Sequence, residues 1–167
     1  MKVAALCCVT LVVVVIAGAC VRKAPPRPTA KETAYKFRDI FPFPVIGDEG
    51  LTELQKGYFI YAKGEDFNAA AAEFERVARQ HPQMTEARLL QGIALVLADR
   101  DADAIPLLEG VVVERPGYAP AQWFLGQAYF AVGRDADAID KMKTVVSING
   151  LYAKEAHAVL DARDGHG

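Results

Sequence analysis

The hexapeptide Arg100-Asp101-Ala102-Asp103-Ala104-Ile105 recurs letter for letter as Arg134-Asp135-Ala136-Asp137-Ala138-Ile139, an offset of 34 residues. The same offset carries Pro82 to Pro116, Gly92 to Gly126 and Val111-Val112 to Val145-Val146. Self-similarity at a fixed period of this length marks a repeat array, whose unit is a helix pair too small to bury its own apolar face. The units must therefore stack, each completing the core of its neighbour. Arrays of this kind hold partners rather than make or break bonds.

The period sets the expected elements of an all-α fold. Three units span residues 49–150, each with a helix A and a helix B. The pairs are 49–62 with 67–80, 85–98 with 103–114, and 119–132 with 135–148. The first unit needs one extra residue in its turn to stay in phase. Apolar residues fall at helical spacing: Phe67, Ala70, Ala71, Phe74 and Val77 share one face, as do Ala138, Ile139, Met142 and Val145. Gly133 is expected to close one helix and Asp135 to cap the next. Asp101 and Asp103 read as caps as well. Pro106 is tolerated only in a first turn, so the second helix B is expected to start late, capped by Asp103. A last stretch, residues 152–163, turns Ala156, Val159 and Leu160 inward and Lys154, Glu155 and Asp161 outward. It reads as the polar-faced capping helix that a terminal unit requires, within a final segment of residues 151–167.

Leu125-Gly126-Gln127-Ala128-Tyr129 with Gly133 and Ala138, Gln91-Gly92-Ile93-Ala94-Leu95 with Ala104 and Pro116, and Gly57, Ile60, Gly64, Ala70 and Pro82 together resemble tetratricopeptide repeats. The departures are Gly150, where a fourth proline is expected, and Trp123, one place later than the usual tryptophan. The resemblance implies a right-handed superhelical solenoid of about three units with a concave groove lined by helix A. In this chain the lining would be Leu54, Tyr58 and Tyr61, then Leu89, Ile93 and Val96, then Trp123, Gln127 and Phe130. Members that clamp a C-terminal carboxylate use lysine, arginine and asparagine there, and this lining has none. The implied ligand is an apolar peptide or helix of another protein. A second reading stays open beside it: the chain's own Phe41-Pro42-Phe43-Pro44-Val45-Ile46, too apolar for water and extended by its prolines, packs back and covers the groove.

The first 19 residues stand apart as a signal segment. Met1-Lys2 is followed by a run without charge from Val3 to Val21, and Ala17-Gly18-Ala19 stands directly before Cys20. A basic start, an apolar stretch and small residues before a cut describe a secretory signal. The Ala17–Cys20 tetrapeptide resembles the lipobox of bacterial lipoproteins, though Ala17 stands where leucine is commonest. That resemblance implies acylation of Cys20, on sulfur (palmitate or a similar chain) and on its new amino group. It places the protein on a membrane of the cell envelope, with the repeats outside the cytoplasm. Val21 in place of aspartate after the cysteine points to the outer membrane, facing the periplasm. The alternative is that Val3 to Val21, 19 residues, is retained as a spanning anchor in the inner membrane. Residues 20–48, containing Pro25, Pro26 and Pro28, then form a tether of at most about 90 Å.

Little else in the chain suggests chemistry. With a net charge of −2 and a pI near 5.9 it has no basic field to attract nucleic acid. Two of its three cysteines, Cys7 and Cys8, lie in the signal run, so the mature domain holds neither disulfide nor thiolate metal site once Cys20 is lipidated. Asp99-Arg100-Asp101-Ala102-Asp103 lacks the glycine and the terminal glutamate of a calcium loop. His81, His157 and His166 have no metal-ligand spacing, and Ser147 is the sole serine. Glu73 and Glu75 flank Phe74 on opposite sides of a helix. No cofactor, metal or catalytic residue is expected, and the chain reads as a non-catalytic scaffold assisting assembly or stability of an envelope complex.

Overall fold

In a computed structural model the described residues are 66–150 and 152–164, together with the helical residues Leu54, Gly57 and Ile60. The signal segment, Cys20, the tether, Phe41–Ile46, Tyr58 and Tyr61 lie outside them. Six helices follow in order: α1 (Phe67–Gln80), α2 (Thr85–Leu97), α3 (Asp101–Glu114), α4 (Ala119–Ala131), α5 (Asp135–Ile148) and α6 (Ala153–Asp164). The described residues contain no strand. Each helix packs on the next, and α2 also packs on α4, so the first helices of successive units touch one another. That is the contact pattern of a stacked helix-pair array.

A single device joins the two helices of each unit. A Cβ added at Gly57 would lie 2.6 Å from the Phe74 ring, one at Gly92 would lie 2.8 Å from Leu108 Cγ, and one at Gly126 would lie 2.6 Å from Met142 Cε. In each case glycine on the first helix lets the second approach, and a large side chain of the second fills the space. Phe74, Leu108 and Met142 are fully buried, beside Ala70, Ala104 and Ala138, which are equally inaccessible. Burying each large side chain contributes roughly 1.5–3 kcal/mol.

The turns repeat as faithfully. His81 and Arg115 end their helices with N–H bonds to Val77 and Val111, both 2.8 Å, and proline follows each. Met84 and Tyr118 then bond back to the carbonyls of His81 and Arg115. Within the units, α2 and α4 close in the same way. Arg100 N–H reaches Leu95 O at 2.9 Å, and Arg134 N–H reaches Tyr129 O at 2.8 Å. This closure needs a left-handed residue, which is Gly133 at φ 79° in one copy and Asp99 at φ 59° in the other.

Two expectations about the second helices are corrected. α3 starts at Asp101 rather than after Asp103, which puts Pro106 at its sixth position. Proline there removes one N–H and crowds the carbonyl of Ala102. Both residues are exposed, so this turn of the helix faces solvent, where the lost bond costs least. Nor do the aspartates cap. Arg100 and Arg134 occupy the N-cap positions of α3 and α5, and neither helix has a side-chain cap. Asp103 and Asp137 instead accept from those arginines at 2.9 and 2.7 Å, and their charge in the first turn complements the helix dipole. A side-chain cap does open α1, where Asp66 accepts from Ala69 N–H at 2.9 Å.

Polar links tie α2 to the end of α3. Glu114 accepts from the Thr85 hydroxyl and from Arg88, both at 2.7 Å, and Arg115 pairs with Glu86 at 2.6 Å. The Thr85 bond foremost, and Arg88 next, hold the Glu114 carboxyl below its ordinary value of 4.5. A lowered folded-state value contributes stability that is complete above the ordinary value and lost as pH falls through the lowered one. Glu114→Gln is therefore expected to be less stable near neutrality and to lose less stability below pH 4.5 than the wild type. Urea melts of both proteins at pH 3 and pH 7 measure the difference.

The glycine contacts give a sharper expectation. Alanine at position 92 meets the branch atom of Leu108 at 2.8 Å, which cannot swing aside, whereas at position 126 its closest contact is the terminal methyl of Met142, with the stiffer Lys141 Cβ farther off at 3.2 Å. Overpacking costs about 1–3 kcal/mol against a helix-propensity gain of about 1 kcal/mol. Gly92→Ala should be destabilised by up to about 2 kcal/mol and Gly126→Ala by less. Equal denaturation midpoints for the two variants would show that Leu108 yields as easily as Met142.

Candidate partner-binding face

The face expected to line a groove is carried by α2 and α4. On α2, Leu89, Ile93 and Val96 recur at helical spacing, and Leu54 of the preceding helix joins the same core. On α4, Trp123, Gln127 and Phe130 hold the matching positions. All seven are buried, with no more than 5% of their surface exposed. Of the nine expected lining residues only Tyr58 and Tyr61 lie outside the described part. As they stand, then, the seven do not form a bare apolar surface. α4 is covered all round, from Ala119 to Phe130.

Part of that cover comes from residues that the repeat pattern does not single out. After α5 the chain turns through Asn149 at φ 51° and Tyr152 at φ 69°. The Tyr152 ring stacks on Trp123, with centroids 5.3 Å apart and planes 2° from parallel, and meets Phe124 edge-on at 5.8 Å. At the far end of α6, Arg163 lies 4.0 Å over the Phe130 ring and pairs with Asp135 at 3.0 Å. The expected capping helix thus covers two lining residues as well as the end of the array. Gly150 in place of proline is the sequence signal for this change of course, since it marks a turn unlike the two before it.

Two polar atoms on this face stand out. Trp123 Nε1 and Gln127 Nε2 are buried donors that find no acceptor among the described residues. They are four residues apart, hence on one side of α4. A buried donor left unsatisfied costs about 1–3 kcal/mol. An acceptor brought to this place would recover that cost. By contrast, Gln122 uses its amide on the repeat turn, donating to Pro116 O at 2.8 Å.

Elsewhere α4 forms a polar cluster with its neighbours. The Tyr129 hydroxyl donates to Glu109 at 2.6 Å, and Arg134 lies 4.1 Å from the ring centroid. Burial first, and the bond to Glu109 second, push the Tyr129 phenol up to about 12. Burial does the same to Tyr118, also to about 12. No group of three or more histidine, cysteine or acidic side chains that could hold a metal ion occurs among the described residues. None of their helices is long and apolar enough to cross a membrane.

Comparison with known proteins agrees with this architecture. A tetratricopeptide repeat family model matches residues 60–119 and 102–156. More than half of the chain is matched, and the chain belongs to the tetratricopeptide repeat family: it is an all-helical module of the class that mediates protein–protein interaction. Among solved structures it is similar to the first repeat domain of Spaghetti (RPAP3) bound to the HSP90 peptide SRMEEVD. That match has a TM-score of 0.62 at 19% identity, covering 72% of this chain and 97% of that one. It is also similar to the first repeat domain of human RPAP3, with a TM-score of 0.57 at 16% identity, covering 70% and 95%. At these identities the likeness is one of fold. A comparison with curated proteins gives no match.

The stack on Trp123 is directly testable, because this is the only tryptophan in the chain. Tyr152→Ala is expected to cost about 2–4 kcal/mol and to shift the tryptophan emission to the red, whereas Tyr152→Phe, which keeps the ring, leaves the emission in place. Alkali supplies a second test. Raised folded-state phenols contribute stability that is complete below about pH 10, their ordinary value, and lost as pH rises toward about 12. Tyr129→Phe should lessen that alkaline loss in melts between those limits.

Proposed function

We propose that this protein is a non-catalytic scaffold of a bacterial cell envelope, held to a membrane through lipid on Cys20, whose repeats grip an apolar segment of another envelope protein. Its service would be to the assembly or stability of an envelope complex. The observation that carries the reading is the pair of unsatisfied donors on α4, Trp123 Nε1 and Gln127 Nε2, within an apolar face. Two donors on one side of a helix suit backbone carbonyls of an extended or helical segment, with apolar side chains between them. The related Spaghetti domain is solved with a peptide that carries three acidic residues. An acidic peptide does not suit Leu89, Ile93, Val96, Trp123 and Phe130, since Arg163, the cation that lies over Phe130, is already paired with Asp135. The preferred ligand of this chain is therefore apolar.

Such a ligand would displace Tyr152 from Trp123, or it would enter beside the two rings. The donors also fit the chain's own Phe41–Ile46 as occupant, since its prolines leave carbonyls without matching N–H groups. Either occupant supplies acceptors, so the chemistry of the face is the same. The lipid reading rests on Ala17-Gly18-Ala19-Cys20 after an uncharged run. Acyl chains contribute about 0.8 kcal/mol for each buried CH₂, and several chains together make attachment effectively permanent. Retention of Val3–Val21 as an inner-membrane anchor is the competing attachment.

Intact mass of the protein from native membranes decides the attachment. A mature chain starting at acylated Cys20 is expected, and an unprocessed Met1 terminus would point to the anchor instead. The face is tested by crosslinking in the same membranes, comparing wild type with Gln127→Leu, which keeps the volume and removes the donor, and with Trp123→Ala plus Tyr58→Ala. Partner recovery should fall several-fold in Gln127→Leu and be lost in the double variant. Full recovery by the double variant would remove this face from the function.

A further inference from the structure

The 34-residue period makes two places in the molecule directly comparable, which share three charged groups and differ in the apolar side chains around them. Around Tyr129 the structure holds a closed cluster. Its hydroxyl donates to Glu109 at 2.6 Å, Arg134 covers the ring at 4.1 Å, and Asp137 anchors Arg134 at 2.7 Å. Every polar member recurs one period earlier: Glu75 for Glu109, Arg100 for Arg134 and Asp103 for Asp137. The anchoring pair is reproduced too, with Arg100 Nε and Nη2 at 2.9 and 2.7 Å from Asp103. The ring is not, because position 95 is leucine. There a half-open cavity of about 260 Å³ lies, lined by Glu75, Gln91, Leu95, Arg100, Asp103 and Leu107 among others, with Ala71 and Ala72 where the next unit has the larger Ile105 and Pro106.

We propose that this cavity binds a phenolic ring, the side chain of a tyrosine presented by a partner polypeptide. The ring would lie against Leu95 and Leu107 within reach of the Arg100 guanidinium, and its hydroxyl would donate to Glu75, as Tyr129 does to Glu109 in the next unit. Glu75 engages Arg79 through Oε1 at 2.8 Å in a well-exposed pair, so Oε2 is the oxygen offered to the phenol. The size suits a single ring, being below the roughly 300 Å³ at which pockets for drug-sized ligands begin. The charges select the same class. A cation meets Arg100, an anion meets Glu75 and Asp103, and a plain aromatic ring makes no bond to the Glu75 oxygen that Arg79 leaves open. A neutral phenol satisfies an arginine above its face and a carboxylate at its hydroxyl together. The site lies between α1, α2 and α3 and shares no residue with the face that carries Trp123 and Gln127, so it stands or falls independently of that face.

The test uses p-cresol, toluene and N-acetyltyrosinamide as probes on the full-length protein in detergent, read by NMR at the Arg100 Nε–H. Affinities are referred to the free probe concentration in the aqueous phase, measured separately, because toluene enters the micelle more than p-cresol. Saturable shifts are expected with p-cresol and N-acetyltyrosinamide, and at least about 5-fold weaker binding of toluene, the hydroxyl–carboxylate bond being charge-assisted. Glu75→Gln should weaken p-cresol binding by about 5–10-fold. Leu95→Tyr should fill the cavity with its own ring, abolish the shifts and raise the melting temperature. Equal p-cresol binding by Glu75→Gln, or by a folded Leu95→Tyr, would overturn the site. If Leu95→Tyr fails to fold, the Glu75→Gln titration decides alone. Binding of p-cresol without N-acetyltyrosinamide would overturn the polypeptide source, since a tyrosine could not then enter with its backbone.

Discussion

The close approach of two helices across a glycine is the contact on which the rest of this molecule depends. Gly57 against Phe74, Gly92 against Leu108 and Gly126 against Met142 set the distance within each unit. Once that distance is set, the buried alanine beside each large residue fits with no further room. Spacing within a unit in turn sets where its first helix meets the first helix of the next, as α2 meets α4. A misfit here would propagate along the array, because each unit has no core apart from its neighbours. The third unit tolerates its glycine contact through a flexible methionine, where the second uses a branched leucine. The same geometry is thus held with different stiffness in successive copies.

Much of this fold is legible in the sequence because its constraints are local and periodic. The helices at 67–80 and 135–148 stand where the apolar spacing places them, and α2 and α4 each stop one residue short of the expected bound. What misleads is the chemistry of helix starts. An aspartate next to the first apolar turn looks like a cap, yet the arginine before it takes the N-cap position and draws the next aspartate into an ion pair. Pro106 looks confined to a first turn. A proline whose missing bond faces water is tolerated deeper, and only the fold reveals that exposure.

The candidate face is legible in part, for a different reason. Periodicity places Leu89, Ile93, Val96, Trp123, Gln127 and Phe130 on one side of the array, since a helix position determines direction. It says nothing of what lies over them. Tyr152 and Arg163 come from the segment where the repeat ends, and no period predicts their contacts. The stack on Trp123 depends on a left-handed Tyr152, a conformation unusual for an aromatic residue and supported here by ring contacts on two sides. The unpaired donors Trp123 Nε1 and Gln127 Nε2 are likewise a property of surroundings.

The two copies of Arg-Asp-Ala-Asp-Ala-Ile show where such an array resists change and where it permits it. Within the hexapeptide, the second alanine (Ala104, Ala138) is buried to zero exposure and the arginine–aspartate pair is preserved. A substitution at either would disturb a helix start or an inter-helix contact. The residue that faces this motif from the preceding helix is under no such restriction. Tyr129 makes the arginine and a glutamate into a closed cluster, and Leu95 leaves the same groups lining a cavity. The glycine contacts lie elsewhere, so the side chains around the motif, Leu95 against Tyr129 and Ala71 and Ala72 against Ile105 and Pro106, differ between copies while the helices pack alike. The motif that identifies the fold therefore carries different surroundings in its two copies. Difference between copies, rather than their identity, is where function in this chain should be sought.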